Sequence, residues 1–339
     1  MEGLSKRNDA LDLLKLFSSF MIILIHVPFY GETGTVVRAI ARFAVPIFFM
    51  TSGFFCYRNK DTQIKKKLLK IFKILILTSA FYNITDFVIK LLSDGMAGVK
   101  THFAVYAQAE RWLELILFNR PFSATRLWFL AALVYVYAMH LLLKKLNAGT
   151  KTVFVISMIG LIINIVMTEG FSFFGIVLDE HYARNFLLTG YPFFGIGLLL
   201  REYREKVIGT KISTCVGMIT IGVVLTLISN YFAELLCLYT GSVFVAVFAF
   251  ILAMKAEGRT YPAFLVRLSA SSLGIYILHR PVATVVTKVF EVVGIEKTSV
   301  AGGFAIPILV CIVTAVVACV AVRLKSTLHL TKTHKSEIK

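Results

Sequence analysis

Ten apolar runs follow one another along the chain, at approximately 13–30, 36–57, 68–92, 126–143, 152–169, 185–200, 212–229, 233–254, 264–290 and 303–323. Each approaches the roughly 20 residues that a helix rising 1.5 Å per residue needs to cross the hydrocarbon of a bilayer. Polar residues gather in short breaks between the runs, with longer stretches only at 93–125 and 170–184. This pattern predicts an all-α, polytopic integral membrane protein of about ten transmembrane helices. Within the first long stretch, Phe103 to Phe118 repeats apolar residues at helical spacing around Glu110, Arg111 and Glu114. It is too polar to span, and predicts a helix lying in the outer interface.

The basic residues occupy alternate breaks: Arg58, Lys60, Lys65, Lys66, Lys67, Lys70 and Lys73 in one, Lys144, Lys145 and Lys151 in another, and Arg201, Arg204, Lys206 and Lys211 in a third. Positively charged loops resist translocation, which places these breaks in the cytoplasm. The loops between them carry acids such as Asp94, Glu110, Glu169 and Asp179. An even number of spans with both termini cytoplasmic satisfies every loop. Lys6 and Arg7 ahead of the first run superficially resemble a secretory signal. No small-residue cleavage site follows Tyr30 and further apolar runs come at once, so the first helix is expected to stay as an anchor.

Composition agrees with that pattern. Hydrophobic residues make up 58% of the 339 and charged residues 16%, against about 45–50% and 25% for a soluble domain, and the surplus needs lipid to face. The formal net charge of +17 would suggest nucleic acid if it were clustered on one face. Its distribution in loops points instead to topology and to membrane lipids as partners, with no nucleic acid. Five cysteines lie in or beside apolar runs without paired spacing, which predicts neither disulfides nor a metal site. The expectation is one membrane domain over 1–339 with a short basic cytoplasmic tail at 324–339 and no appended soluble domain.

Ionisable residues inside the runs are the candidates for chemistry, because a charge at membrane depth is costly and marks function by default. Lys15 and His26 are eleven residues apart on the first helix, close to three full turns, and Asp12 shares their stripe. The bland account is that Asp12 and Lys15 mark an interface while His26 packs. Arg38 and Arg42 stand at the outer end of the second run, ahead of VPIFFMTSGFF. They either line a polar cavity or snorkel to headgroups. The ninth run holds Tyr276, His279 and Arg280 before Pro281, which breaks the helical ladder. His279 lies in the outer half with His26, so the two histidines either line one cavity or pack separately. Tyr82, Asn83 and Asp86 mark the third run, while Arg126 and Trp128 open the fourth, as interfacial anchors or as site residues. The run from Arg58 to Lys73 serves topology and anionic headgroups, or clamps a phosphorylated cytosolic ligand.

Four segments carry a resemblance to a known family. ALDLLKLFSSFMIILIH, ARFAVPIFFMTSGFF, RLWFLAALVYVY and LSASSLGIYILHRP are similar, in order and spacing, to signatures of the acyltransferase 3 family of membrane acyltransferases. The resemblance implies ten core helices, an acyl-CoA donor at the cytoplasmic side and an acceptor hydroxyl, often on a cell-surface glycan, at the other. It implies a multi-pass protein of the bacterial cytoplasmic membrane that transfers an O-acyl group, acetyl above all, from acetyl-CoA to a cell-envelope glycan or lipid-linked sugar, with no metal. His26 is then the base or nucleophile, assisted by Lys15 and Asp12. Arg42, Arg38, His279, Tyr276 and Trp128 hold the acceptor, and Arg58, Lys65 and Lys66 meet the phosphates of coenzyme A. Lys15 stands where the family usually has arginine, keeping the charge but losing the planar fork. Some members fused to a serine racemase resemble serine carriers, so a small-solute transporter or flippase on the same membrane domain is the alternative.

Overall fold

The structure, a computed structural model, describes residues 8–122, 127–233 and 236–337, with side chains as far as Leu324. Lys6, Arg7 and Arg126, and the side chains of most of the basic tail, lie outside the described residues. No strand occurs among those described, and 83% of the described residues are helical. In chain order the helices are α1 (Asp9–His26), α2 (Gly31–Ile40), α3 (Ala44–Phe54), α4 (Asp61–Phe103), α5 (Ala109–Phe118), α6 (Trp128–Lys145), α7 (Thr150–Ile165) and α8 (Phe171–Phe173). They continue as α9 (Glu180–Ala183), α10 (Tyr191–Glu202), α11 (Arg204–Val207), α12 (Ile212–Phe232), α13 (Thr240–Lys255), α14 (Ala263–Ser269), α15 (Ser272–Val292) and α16 (Val300–Glu337).

A helix stands at each of the ten expected runs. Seven of the resulting helical segments are long and apolar enough to cross a membrane, namely those at Gly31–Phe54, Asp61–Ala107, Trp128–Lys145, Thr150–Phe173, Ile212–Phe232, Ser272–Val292 and Val300–Leu324. The remaining three fall short for visible reasons: α1 carries Asp9, Asp12 and Lys15 in its first turns, α10 has twelve residues and α13 sixteen. In the most apolar window of α4 only 11% of residues are buried. Leu77 and Leu92 project outward at 70% and 81% exposure, an arrangement that hydrocarbon tolerates and water does not.

Contacts divide the chain into two compact units, one of Met1–Ile47, Thr210–Asn230 and Gly241–Lys339, the other of Phe48–Gly209 and Tyr231–Thr240. In the first unit, α1 begins at Asn8, whose side-chain oxygen accepts the Leu11 N–H at 3.0 Å and satisfies one of the open donors of the first turn. One face of α1 packs on α15 and α16 through Leu16, Ile23 and Val27 against Ile275, Ala283, Ile306 and Val310. The Ser19 hydroxyl reaches the Ser272 carbonyl at 3.1 Å and fixes the two helices in register. Helix α15 runs on through Pro281 without ending.

In the second unit, α3 and α10 cross with backbones in contact. A Cβ on Gly197 would lie 2.0 Å from the Met50 carbonyl oxygen, and one on Gly53 would lie 1.9 Å from that of Phe194. Small residues permit this approach, which stands in for the hydrophobic drive that lipid does not supply. Helix α4 is longer than its apolar run because it continues beyond that run and bends at Gly95, with φ 66° and ψ −164°. After the bend, Tyr106 donates to the Asn83 side chain at 2.7 Å and His102 approaches Asp86 at 3.7 Å. The expected interfacial helix is present in shorter form as α5, with Trp112, Leu113, Ile116 and Leu117 exposed.

Two π-helical turns, Val166–Gly170 and Phe186–Gly190, interrupt the second unit. The Asn164 side chain ties them together, reaching Thr189 Oγ1 at 2.9 Å and the carbonyls of Ala183 and Leu188 at 2.9 and 3.1 Å. Glu169, which the sequence places in an outer loop, is 6% exposed inside the first of these turns. It accepts the Thr240 N–H at 2.8 Å and the Thr240 hydroxyl, and thereby caps the start of α13.

Candidate functional site

The first unit brings together most of the residues singled out by sequence. His26 ends α1 and His279 lies in the middle of α15; their rings stack with centroids 5.3 Å apart and planes 16° from parallel. His279 is 1% exposed, and its Nδ1 lies 2.6 Å from the Tyr276 carbonyl. A carbonyl only accepts, so Nδ1 carries the proton, and Nε2 is the basic nitrogen of the neutral ring. Tyr276, 3% exposed, places its ring 6.0 Å from that of His279. One buried and one half-buried imidazole, held face to face by separate helices, form a centre able to accept, hold and return a proton.

Lys15 and Asp12 form an ion pair of 2.6 Å on α1. Their sequence separation from His26 puts Lys15 roughly 16 Å and Asp12 roughly 21 Å away along the helix axis, too far for direct contact with the imidazole pair. Arg42 sits in a single 3₁₀ turn, Ala41–Phe43, between α2 and α3, and is 9% exposed. The neighbouring Phe43 ring stacks on Phe17 of α1 at 6.1 Å, which fixes the turn to the helix bearing His26. Arg38, in the last turn of α2, is half-buried, and its Nε is buried without a hydrogen-bond partner among the described residues. Neither arginine therefore has the full exposure that snorkelling to headgroups would give.

Trp128 belongs to the second unit. It is 8% exposed at the start of α6, with the Arg184 guanidinium 5.3 Å above its ring. Beside it lies a cavity of about 180 Å³ bordered by Phe118, Arg120, Asp179, Glu180 and His181. Partial burial works to raise the Asp179 carboxyl. Hydrogen bonds from the His181 ring and N–H, together with the charges of His181 and Arg120, outweigh it and hold this carboxyl below the usual range.

At the end of α3 the basic run divides. Arg58 borders a cavity of about 220 Å³ that also touches Asn59, His140, Lys144 and Thr150. Lys65 and Lys66, on the first turns of α4, are exposed and outside that border. Lys67 turns inward instead, its ammonium donating to the Phe55 carbonyl. His140 and Lys144 are not among the sequence candidates, although His140 carries the same signal that marks His26 and His279, a histidine in an apolar run. Among the described residues no group of three His, Cys, Asp or Glu side chains is arranged to hold a metal.

No curated protein and no solved structure matches the chain. The sequence profile of the acyltransferase 3 family, described as an acyltransferase domain, does match, from residue 8 to residue 323. That interval contains both members of the histidine pair, both arginines and all seven membrane-length helices but for the last residue of the seventh, and the protein belongs to the acyltransferase 3 family of membrane acyltransferases.

Proposed function

We propose that the protein is an O-acyltransferase that moves an acyl group, acetyl above all, from cytoplasmic acyl-CoA to a hydroxyl of a cell-envelope glycan or lipid-linked sugar. The stacked pair of His26 and His279 carries this reading. His26 takes the proton of the acceptor hydroxyl as its oxygen attacks the thioester carbonyl. The new C–O bond forms, the C–S bond breaks, and the departing thiolate of coenzyme A collects a proton from the imidazolium. His279, oriented by the Tyr276 carbonyl, steadies the ring it stacks on, and Arg42 and Arg38 offset the negative charge that develops on the carbonyl oxygen. Trp128 belongs to acceptor binding and Arg58, Lys65 and Lys66 to the donor's phosphates. Lys15 with Asp12 orders the cytoplasmic end of α1. Ten spans with both termini in the cytoplasm of a bacterial cell complete the arrangement.

A positioned base is worth about 10²–10⁴-fold in rate. Purified protein in lipid nanodiscs, given radiolabelled acetyl-CoA and cell-envelope extract, is expected to release coenzyme A, and His26→Ala is expected to lose at least that factor while remaining folded. Undiminished release by His26→Ala removes the assignment of the base. Should acetyl-CoA neither bind nor react with the wild type, the enzyme reading falls, and uptake of a small solute such as serine by vesicles becomes the next measurement.

A further inference from the structure

Helix α16 carries a groove on the face it turns toward α1 and α14. The groove holds about 470 Å³, within the range of roughly 300–1,000 Å³ usual for ligand sites. Cys311, Ala315 and Cys319, spaced four apart and half-buried, make its floor, where short side chains leave open a channel that larger ones would fill. The Ser271 hydroxyl meets the Cys319 sulfur at 3.6 Å and fixes that side chain against the start of α15. Phe20 of α1 and Leu268 of α14 close one side, while Ile312, Val316 and Val320 form an exposed lip on the other. Phe20, Leu268, Cys311 and Ala315 also pack on the buried cluster of Leu16, Ile23, Ile275 and Ile306. The floor is therefore the back of a packed core, with a fixed shape.

One end of this apolar channel is different. Arg323 is the single charged residue on its border among the described residues, and no carboxylate borders it. Arg267, exposed in the last turn of α14, precedes Leu268 in the chain. The twelve steps from Cys311 to Arg323 span roughly 18 Å of helix, a little over half of the ~30 Å thickness of bilayer hydrocarbon. Those are the length and polarity of one leaflet, with apolar wall along the chains and a cation at the headgroups. A second copy packing here about a two-fold axis along the membrane normal would set its own Arg323 at the same depth, cation against cation. A lipid sets a phosphate there instead. We propose that the groove holds one anionic phospholipid, an acyl chain lying along Cys311, Ala315 and Cys319 and the phosphate pairing with Arg323. A phosphatidylglycerol headgroup has no ammonium of its own to oppose the guanidinium. Because Phe20 belongs to α1, the bound chain braces the helix that carries His26. The site stands whether or not the protein transfers acyl groups.

The test uses full-length protein in phosphatidylcholine nanodiscs with a trace of photoreactive lipid, phosphatidylglycerol in one set and phosphatidylcholine in the other, each with a diazirine in its acyl chain. After irradiation, adducts are mapped by peptide mass spectrometry. The phosphatidylglycerol probe is expected to label 311–323 roughly fivefold more than the phosphatidylcholine probe, the worth of one arginine at an anionic headgroup. Arg323→Gln is expected to bring the two probes level at that segment, and Ala315→Phe, which fills the channel, to remove both. Equal labelling of 311–323 by the two probes in the wild type, a preference unchanged in Arg323→Gln, or labelling spread evenly over exposed helices such as α4 and α12 overturns the proposal. So does a chain dimer joined through Cys311 or Cys319 on mild oxidation, which would make a second copy the occupant. Arg323 is exposed, so its variant decides the matter even if Ala315→Phe fails to fold.

Discussion

At the scale of single residues, the two kinds of constraint in this protein respond to different perturbations. Gly197 is constrained by space, because its α-carbon faces the Met50 carbonyl with no room for a methyl group. Gly197→Ala is expected to cost about 1–3 kcal/mol by forcing α3 and α10 apart, read as a lower unfolding midpoint in mixed micelles. Asp179 is constrained by charge. Its carboxyl is held below the ordinary value near 3.9, so its contribution is complete above that value and disappears only as pH falls through the lower one of the folded state. With Trp112→Phe leaving Trp128 as the sole indole, emission should stay constant on acidification to about pH 4 and change below it, and Asp179→Asn should flatten that change. A transition centred well above pH 4 would show that another group controls the pocket.

At the scale of elements, the bend of α4 is the least forgiving feature. Gly95 occupies a region of φ and ψ that only glycine enters without strain. Gly95→Ala is therefore expected to cost about 1–3 kcal/mol and to loosen the pairing of Tyr106 with Asn83, measured as faster amide exchange across 96–106. The helical, membrane-length character of the chain was legible in sequence because a run of some twenty apolar residues has few other uses, although seven of the ten expected spans reach that length and apolarity. The internal breaks were not. Nothing in the local composition distinguishes the π turns at Val166–Gly170 and Phe186–Gly190 from α-helix, since they depend on what Asn164 and Glu169 meet from distant parts of the chain. The stacking of His26 on His279 was legible only as a shared depth in the membrane. His140 lies close to the basic break at Lys144 and Lys145, where a histidine in an apolar run reads as interfacial as readily as functional.

At the scale of the whole molecule, the charge pattern makes a prediction that does not depend on any catalytic reading. A cysteine placed at Asn147, between α6 and α7, should react with a membrane-impermeant maleimide only after cells are opened, and one at Glu110 should react in intact cells. The reverse pattern would invert the proposed orientation and move the Arg58 cavity to the outer face.

The cap that Glu169 supplies to α13 also bears on how the protein is made. Its partner, Thr240, lies 71 residues downstream. At about 5–20 residues per second of synthesis, roughly 4–14 s separate the two in the emerging chain. Throughout that interval a carboxylate destined for burial cannot yet reach the helix it will cap. The start of α13 is thus capped only after it emerges, and Glu169→Gln, uncharged but still able to accept from Thr240 through its amide oxygen, is expected to be easier to submerge early while leaving a weaker cap on the finished helix.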